Sequence, residues 1–230
     1  MRILIVGHGG REHALLWKLR RDAPDAEFFI TRGNGGTVGL AEPLPLDPTE
    51  AVALAGWAEA HRVDLTVVGP EAPLAAGIGD AFVARGLPVV APSRAAAAIE
   101  TSKAYAKALL HRAGVPTARF ATFTDLAAAE AYIRREGAPL VVKASGLAGG
   151  KGAVVCGTVE EALAAARAML RDRAFGEAGL EIVVEERLEG EEVSVHALAS
   201  GREAALMVPA QDHKRLGEGD TGPNTGGMGA

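Results

Sequence analysis

The feature that most limits the fold of this chain is the alternation of short apolar runs with helical patterns from its first residues onward. Arg2-Ile3-Leu4-Ile5-Val6 is followed at once by Gly7-His8-Gly9-Gly10 and then by a helical pattern through Leu15, Leu16 and Leu19. The grammar repeats: Phe28-Phe29-Ile30, a helix around 49–61, Leu65-Thr66-Val67-Val68, a helix around 74–85, and Val89-Val90-Ala91. Strands separated by helices pair in parallel, with the helices covering the sheet faces. Residues 1–92 are therefore expected to form an N-terminal α/β domain, a parallel-sheet, Rossmann-like unit.

Helical patterns over 94–113, ended by Gly114-Val115-Pro116, predict a connector at 93–116. A second block begins near Thr117. It holds a helix at 125–136, strand Leu140-Val141-Val142-Lys143, a glycine loop, a strand at 153–156 and a helix at 159–171. Strands near 180–185, 192–199 and 203–209 follow, with Gly201 marking a turn. Helices set apart from a mostly antiparallel sheet predict an α+β nucleotide-binding domain over 117–230, its small subdomain at roughly 117–190. The polar, glycine-rich stretch from Gln211 to Ala230 is expected to be a loop without regular structure. The chain is expected to be a piece of a longer protein.

Composition removes several classes. With 230 residues, 48% of them hydrophobic, the chain can bury a real core. A net charge of -5 argues against a nucleic-acid partner. No apolar stretch approaches the roughly 20 residues of a membrane helix, and the first strand starts too early for a signal peptide. A cytoplasmic monomer acting on small molecules is the expectation. Cys156, the sole cysteine, excludes an internal disulfide; in the run Ala153-Val154-Val155-Cys156 it reads as a small buried hydrophobe.

Glycine is clustered rather than spread, and the clusters mark candidate chemistry. A turn entering a helix points N–H groups and partial positive charge at an anion. Gly7-x-Gly9 opens like a dinucleotide fingerprint, but Glu12 stands where its third glycine is needed. No carboxylate ends the second strand, which runs into Thr31-Arg32-Gly33-Asn34-Gly35-Gly36; Arg32 keeps an NADP-dependent reductase open. The other readings are a purely structural turn and a site for a phosphorylated small molecule. For the last, Gly9, Gly10, Arg11 and Glu12 would be joined by Gly33 and Asn34, and by Pro70 and Glu71 of Val68-Gly69-Pro70-Glu71. Three such turns are expected to meet at the carboxyl edge of the sheet, with Glu71 suited to sugar hydroxyls.

The second cluster, Lys143-Ala144-Ser145-Gly146-Leu147-Ala148-Gly149-Gly150-Lys151-Gly152, is not a P-loop. Ser145 stands in place of its first glycine, and Gly152 in place of the magnesium-binding Ser or Thr. What is left is a glycine flap between strands, flanked by lysines. Lys143 ends an apolar strand, where its ammonium would seek an anion. Each lysine alone reads as solvated; with the flap they suggest a triphosphate clamp. Further on, Glu181-Ile182-Val183-Val184-Glu185-Glu186 runs into an acidic turn, either a solvated hairpin or an adenine-binding edge. There Leu188 would offer its backbone to the base and Glu192 would face the ribose.

Lys103, Lys143, the flap and Glu185-Glu186-x-Leu188-x-Gly190-x-Glu192 together resemble the ATP-grasp superfamily. Within it, the more specific resemblance is to the glycinamide ribonucleotide synthetases. It is carried by Gly9-Gly10-Arg11-Glu12-His13-Ala14, Gly33-Asn34-x-Gly36-Thr37, Val68-Gly69-Pro70-Glu71-Ala72-Pro73-Leu74 and the flap. Gln211-Asp212-His213-Lys214-Arg215 and Asp220-Thr221-Gly222-Pro223-Asn224-Thr225-Gly226-Gly227-Met228-Gly229 extend it. The resemblance implies ATP-dependent ligation of glycine to 5-phosphoribosylamine through glycyl phosphate. It places Lys103, Lys143, Gly149, Gly150 and Lys151 at the ATP phosphates, with Lys143 and Lys151 catalytic. Glu185, Glu186 and Leu188 would grip adenine and Glu192 the ribose. Asp212 and Lys214 would bind glycine and act in catalysis. Asn224, Thr225, Gly226 and Gly227 would belong to a loop closing over the reacting phosphoryl group. Arg187 and His8 depart from the usual pattern. Magnesium or manganese is implied with ATP, its ligands expected beyond Ala230, so the chain alone is expected to be inactive. A carboxylase or formyl-phosphate ligase of the superfamily fits the final motifs less well, and a non-catalytic nucleotide-binding module stays open.

Overall fold

Alternation along the first strand has a simple outcome: Ile3 and Ile5 face one side of a sheet, and Leu4 and Val6 face the other. This is seen in a computed structural model, which describes residues 1–219 and 221–229, apart from the side chains of 223, 224 and 226–229. The chain divides into two compact units, Met1–Thr101 and Ser102–Ala230.

The first unit runs β1 (Arg2–Val6), α1 (Gly10–Asp22), β2 (Glu27–Thr31), β3 (Glu42–Leu44), α2 (Ala51–Ala60), β4 (Leu65–Val68), α3 (Glu71–Ala75), α4 (Ile78–Val83), β5 (Val89–Val90) and α5 (Arg94–Thr101). Its five strands lie in the order β3-β2-β1-β4-β5, every neighbouring pair parallel. Ile3, Ile5, Phe28 and Ile30 pack with Leu16 of α1 on one face. Leu4, Val6, Phe29 and Leu44 pack with Leu54, Ala58, Ile78 and Phe82 of α2 and α4 on the other. Chain order reverses across the sheet between β1 and β4, which opens a crevice at their carboxyl ends.

One expectation is corrected here. The helix expected over 74–85 is two short helices, because Gly77 sits at φ +85, a left-handed conformation that ends one and starts the next. The helical patterns expected over 94–113 are two helices that meet at Ser102, whose extended backbone and hydroxyl cap the second by accepting the Tyr105 N–H at 3.2 Å. Strand β3 has no counterpart in the sequence reading; with Pro43 at its centre it occupies the sheet edge, where a missing N–H is tolerated.

The second unit contains α6 (Lys103–Arg112), β6 (Phe120–Phe123), α7 (Leu126–Glu136), β7 (Leu140–Ala144), β8 (Ala153–Cys156), α8 (Val159–Leu170), a 3-10 turn (Gly176–Gly179) and β9 (Ile182–Glu186). Strands β6-β9-β7-β8 form an antiparallel sheet. Leu140, Val142, Ile182 and Val184 point to one face, which α7 and α8 cover with Ala129, Ile133, Ala162, Ala166 and Met169. Asp125 and Thr158 cap these helices, each side-chain oxygen accepting an N–H three residues on. Two hairpins follow: β10 (Ala197–Ser200) with β11 (Glu203–Leu206), and β12 (Asp212–Gly217) with β13 (Thr221–Gly229). The loop expected over 211–230 is thus a strand pair. Its ladder is irregular on either side of Arg215, and a glycine-rich strand with a broken register carries no period-2 pattern to read.

Cys156 is fully buried beneath α8. Burial, with Glu161 nearby, pushes its thiol up, so the thiolate that reacts is both scarce and inaccessible. Ellman's reagent at pH 8 is expected to leave Cys156 unmodified in the native chain and to titrate one thiol in denaturant.

Candidate active site

At the carboxyl edge of the parallel sheet the turns after β1, β2 and β4 are tied together. The Gly7 N–H donates to Thr31 Oγ1 at 2.7 Å, joining the first two. Asn34 Nδ2 donates to the carbonyls of His8 at 2.7 Å and Gly9 at 3.3 Å. Arg11 Nη1 reaches across to the Gly69 carbonyl at 2.6 Å and Glu71 Oε1 at 3.0 Å. Arg11, Asn34 and Glu71, read from sequence as substrate groups, are thereby brought to one edge with the N-terminus of α1.

Glu12 has a different position. It is buried, and its Oε2 accepts the Gly9 N–H at 2.6 Å, closing the first turn of α1. A methyl added at Gly69 would lie 2.6 Å from the Glu12 carboxyl carbon, and one at Gly7 would be equally close. The carboxylate fills the space between the turns, so Glu12 holds the edge together rather than reaching outward from it. Arg32, the residue that keeps an NADP site open in the sequence, has its guanidinium on Asp47 at 2.6 Å. Hydrogen bonds from the Thr49 hydroxyl and N–H, with Arg32 beside it, hold Asp47 below the usual carboxylate range.

In the second unit β7 and β8 are the arms of a hairpin whose connection is the glycine flap. Lys143 leaves β7 beside the flap and pairs with Glu185 Oε1 on β9, so the anion expected for it is supplied from within. The other carboxylate oxygen binds Lys107 of α6 at 2.8 Å. Lys103, one turn earlier on α6, donates to the Gly146 carbonyl at 3.1 Å, and its N–H donates to Ser145 O at 2.8 Å. Lys103 and Lys143 thus both stand at the foot of the flap. Lys151 is exposed on it, and Gly149 and Gly150 turn its tip at φ +57 and +78.

The remaining residues divide. Glu186 is held by Arg119, through its N–H and Nε, each at 2.9 Å, which keeps the carboxyl below its ordinary range. That contribution to stability is present above the unfolded carboxyl value and fades as pH falls through the lower folded one. Leu188 is exposed. Glu192 and Lys214 form an exposed pair at 2.5 Å, and Asp212 opens the same strand, β12. Thr225 Oγ1 donates to the Lys214 carbonyl at 3.0 Å. Of Asn224, Gly226 and Gly227 only the β13 backbone is described, and Asp220 lies outside the described residues. Among the described residues no group of three or more His, Cys, Asp or Glu stands together to hold a metal. Lys107 escapes the sequence reading; its only signal is the four-residue step from Lys103, which puts both on one helix face.

Known proteins resolve what this geometry belongs to. The family model of the phosphoribosylglycinamide synthetase N domain matches residues 1–100, and that of the ATP-grasp (A) domain matches residues 101–230. The chain belongs to the phosphoribosylglycinamide synthetase family. Relatives in the family include proteins named phosphoribosylamine–glycine ligase from Ralstonia nicotianae, 53% identical over 231 residues, and from Yersinia pestis, 50% identical over 232. Each alignment takes in 100% of this chain and 54% of the relative, so the chain spans about half the length of these proteins. The crystal structure of phosphoribosylamine–glycine ligase from Thermotoga maritima superposes with a TM-score of 0.83 at 30% identity, over 99% of this chain and 54% of that one. A biotin carboxylase from Campylobacter jejuni, at TM-score 0.69 and 17% identity over 94% of this chain and 52% of that one, shares the fold alone. No described helix is long and apolar enough to cross a membrane.

The packing of Glu12 sets a direct expectation. Gly69→Ala should lower unfolding free energy by about 1–3 kcal/mol, because the methyl and a buried carboxylate cannot share the space. Gly10→Ala, which meets nothing within 4 Å, should be neutral or stabilise by about 0.5–1 kcal/mol. Urea titrations of the two variants check this; equal effects would mean that Glu12 does not fill the gap.

Proposed function

We propose that this chain carries substrate- and ATP-binding parts of a phosphoribosylamine–glycine ligase. In this reading the γ-phosphoryl group of ATP passes to the glycine carboxylate, giving ADP and glycyl phosphate. The amine of 5-phosphoribosylamine then attacks the acyl carbon. A C–N bond forms, the C–O bond to phosphate breaks, inorganic phosphate leaves and the nitrogen gives up a proton.

The observation that carries the reading is the foot of the flap. Lys103 and Lys143 are brought there from different elements, with the flap's backbone beside them. A strongly anionic chain such as a triphosphate would exchange Glu185 for its own oxygens at Lys143, and the flap, with Gly149, Gly150 and Lys151, would fold over it. Charge that develops on the transferring phosphoryl group is stabilised by such fixed cations, and a closed flap keeps water from the acyl phosphate. The backbone from Glu185 to Leu188 is assigned to adenine and Glu192 to the ribose. Asp212 and Lys214 are assigned to glycine, with the segment holding Asn224, Thr225, Gly226 and Gly227 at the phosphoryl group. Magnesium or manganese would accompany the triphosphate and screen its charge; the described residues supply no cluster for it.

At the parallel-sheet edge, Gly9, Gly10 and Arg11 are assigned to the phosphate of phosphoribosylamine, and Gly33, Asn34, Pro70 and Glu71 to its sugar. Support comes from the N-terminus of α1 and the convergence of the three turns. The Arg32–Asp47 pair and the buried Glu12 weigh against NADP.

Thermal unfolding with magnesium-ATP tests the proposal. At a hundred times the dissociation constant, ATP should add about 2.7 kcal/mol of stability. The shift should vanish in Lys143→Ala, whose fold is kept because Glu185 still has Lys107. A shift with NADP and none with ATP would sink the reading.

A further inference from the structure

Lys107 has no place in the function proposed above, yet its ammonium is fully bonded within the second unit. Its Nζ contacts Glu185 Oε2 at 2.8 Å, Thr117 Oγ1 at 2.7 Å and the Ala118 carbonyl at 2.9 Å. An ammonium has three protons, and three acceptors use them. Phe120 lies under it, 5.1 Å from the ring centre, and the side chain is only 11% exposed. A lysine so enclosed cannot reach a ligand. Glu185, 9% exposed, lies between it and Lys143, whose side chain is 30% exposed and the outermost of the three.

We infer that Lys107 is a positioning residue that keeps the charge of Lys143 available to an anionic ligand, by taking up Glu185 from the buried side. The inference rests on the ATP reading of this site. Two cations and one anion leave a formal charge of +1, and it emerges at the exposed member. Without Lys107 the formal charge of the cluster is zero. Glu185 then belongs wholly to Lys143, and an incoming triphosphate has to displace an undivided partner in a site of low dielectric, where such pairs are strong. If Glu185 is neutralised as well, the charge returns to +1. An ion pair that only supports the fold would give no such sequence of effects on affinity.

Calorimetric titration of magnesium-ATP into wild-type chain, Lys143→Ala, Lys107→Met and the double variant Lys107→Met/Glu185→Gln decides this, with circular dichroism melts to confirm that each is folded at the assay temperature. Lys107→Met should weaken ATP binding about tenfold, and the double variant should recover to within about threefold of wild type. Failure of wild type to bind ATP, or undiminished binding by Lys143→Ala, would overturn the ATP reading and this inference with it. Binding that Lys143→Ala loses but Lys107→Met keeps would overturn the inference alone, as would a loss that the double variant does not regain. Should Lys107→Met fail to fold, Glu185→Gln takes its place: it should bind ATP at least as tightly as wild type, and weaker binding overturns the inference.

Discussion

A carboxylate placed at the buried end of a strand has to be neutralised where it stands, and Glu185 draws three elements of the second unit together in meeting that requirement. It extends from β9, the strand between β6 and β7, toward Lys143 of β7 and Lys107 of α6. Separating buried opposite charges costs several kcal/mol once one partner is missing, whereas rearranging an exposed pair costs almost nothing. The position of α6 against the sheet is therefore set by charge as much as by apolar contact. Its first turn is fixed independently by Ser145, which offers a carbonyl to Lys103 N–H and a hydroxyl to Ala104 N–H. With both points held, Lys103 has little choice but to stand at the flap.

The first unit meets a similar demand without a cation. Glu12 is buried, and it accepts the N–H of Gly9, at the positive end of α1. What makes room for it is the absence of side chains at Gly7 and Gly69. The two units thus use a buried carboxylate in opposite ways. In the first it organises backbone and leaves Arg11 to the exposed edge; in the second it organises side-chain charge and leaves Lys143 outermost.

The parallel sheet was legible because strands covered on both faces must be apolar throughout and helices must alternate with them, as at Ile3–Val6 and Leu65–Val68. The antiparallel sheet of the second unit was legible from the runs at Leu140 and Ile182. Strands β3 and β6 were not, since Glu42-Pro43-Leu44 and Phe120–Phe123 are short edge strands that carry little pattern. The candidate site was legible wherever glycines and lysines cluster along the chain, as at Lys143–Gly152. It failed at Lys107, whose importance lies in a partner far along the chain, Glu185, and which in sequence is one more polar residue on a helix. The division of labour at Glu12 was hidden for the same reason: a buried carboxylate and a ligand-facing one are spelled identically.

The flap adds a mechanical argument. Gly146, at its start, lies so close to the 3-10 turn that an added methyl would be 2.7 Å from Ala178 Cα, and its N–H donates to the Ala178 carbonyl at 3.0 Å. The carbonyl of Gly152, at its end, accepts the Ala144 N–H at 2.8 Å. Both feet are therefore packed and bonded. At the tip, Gly149 and Gly150 have open space around them and left-handed backbones that a side chain would strain. A loop fixed at its feet and unencumbered at its tip can change the tip's course by rotating a few glycine dihedrals while β7 and β8 stay in register. Such a loop can cover a charged ligand at little cost, because closure then requires only the ordering of a few residues.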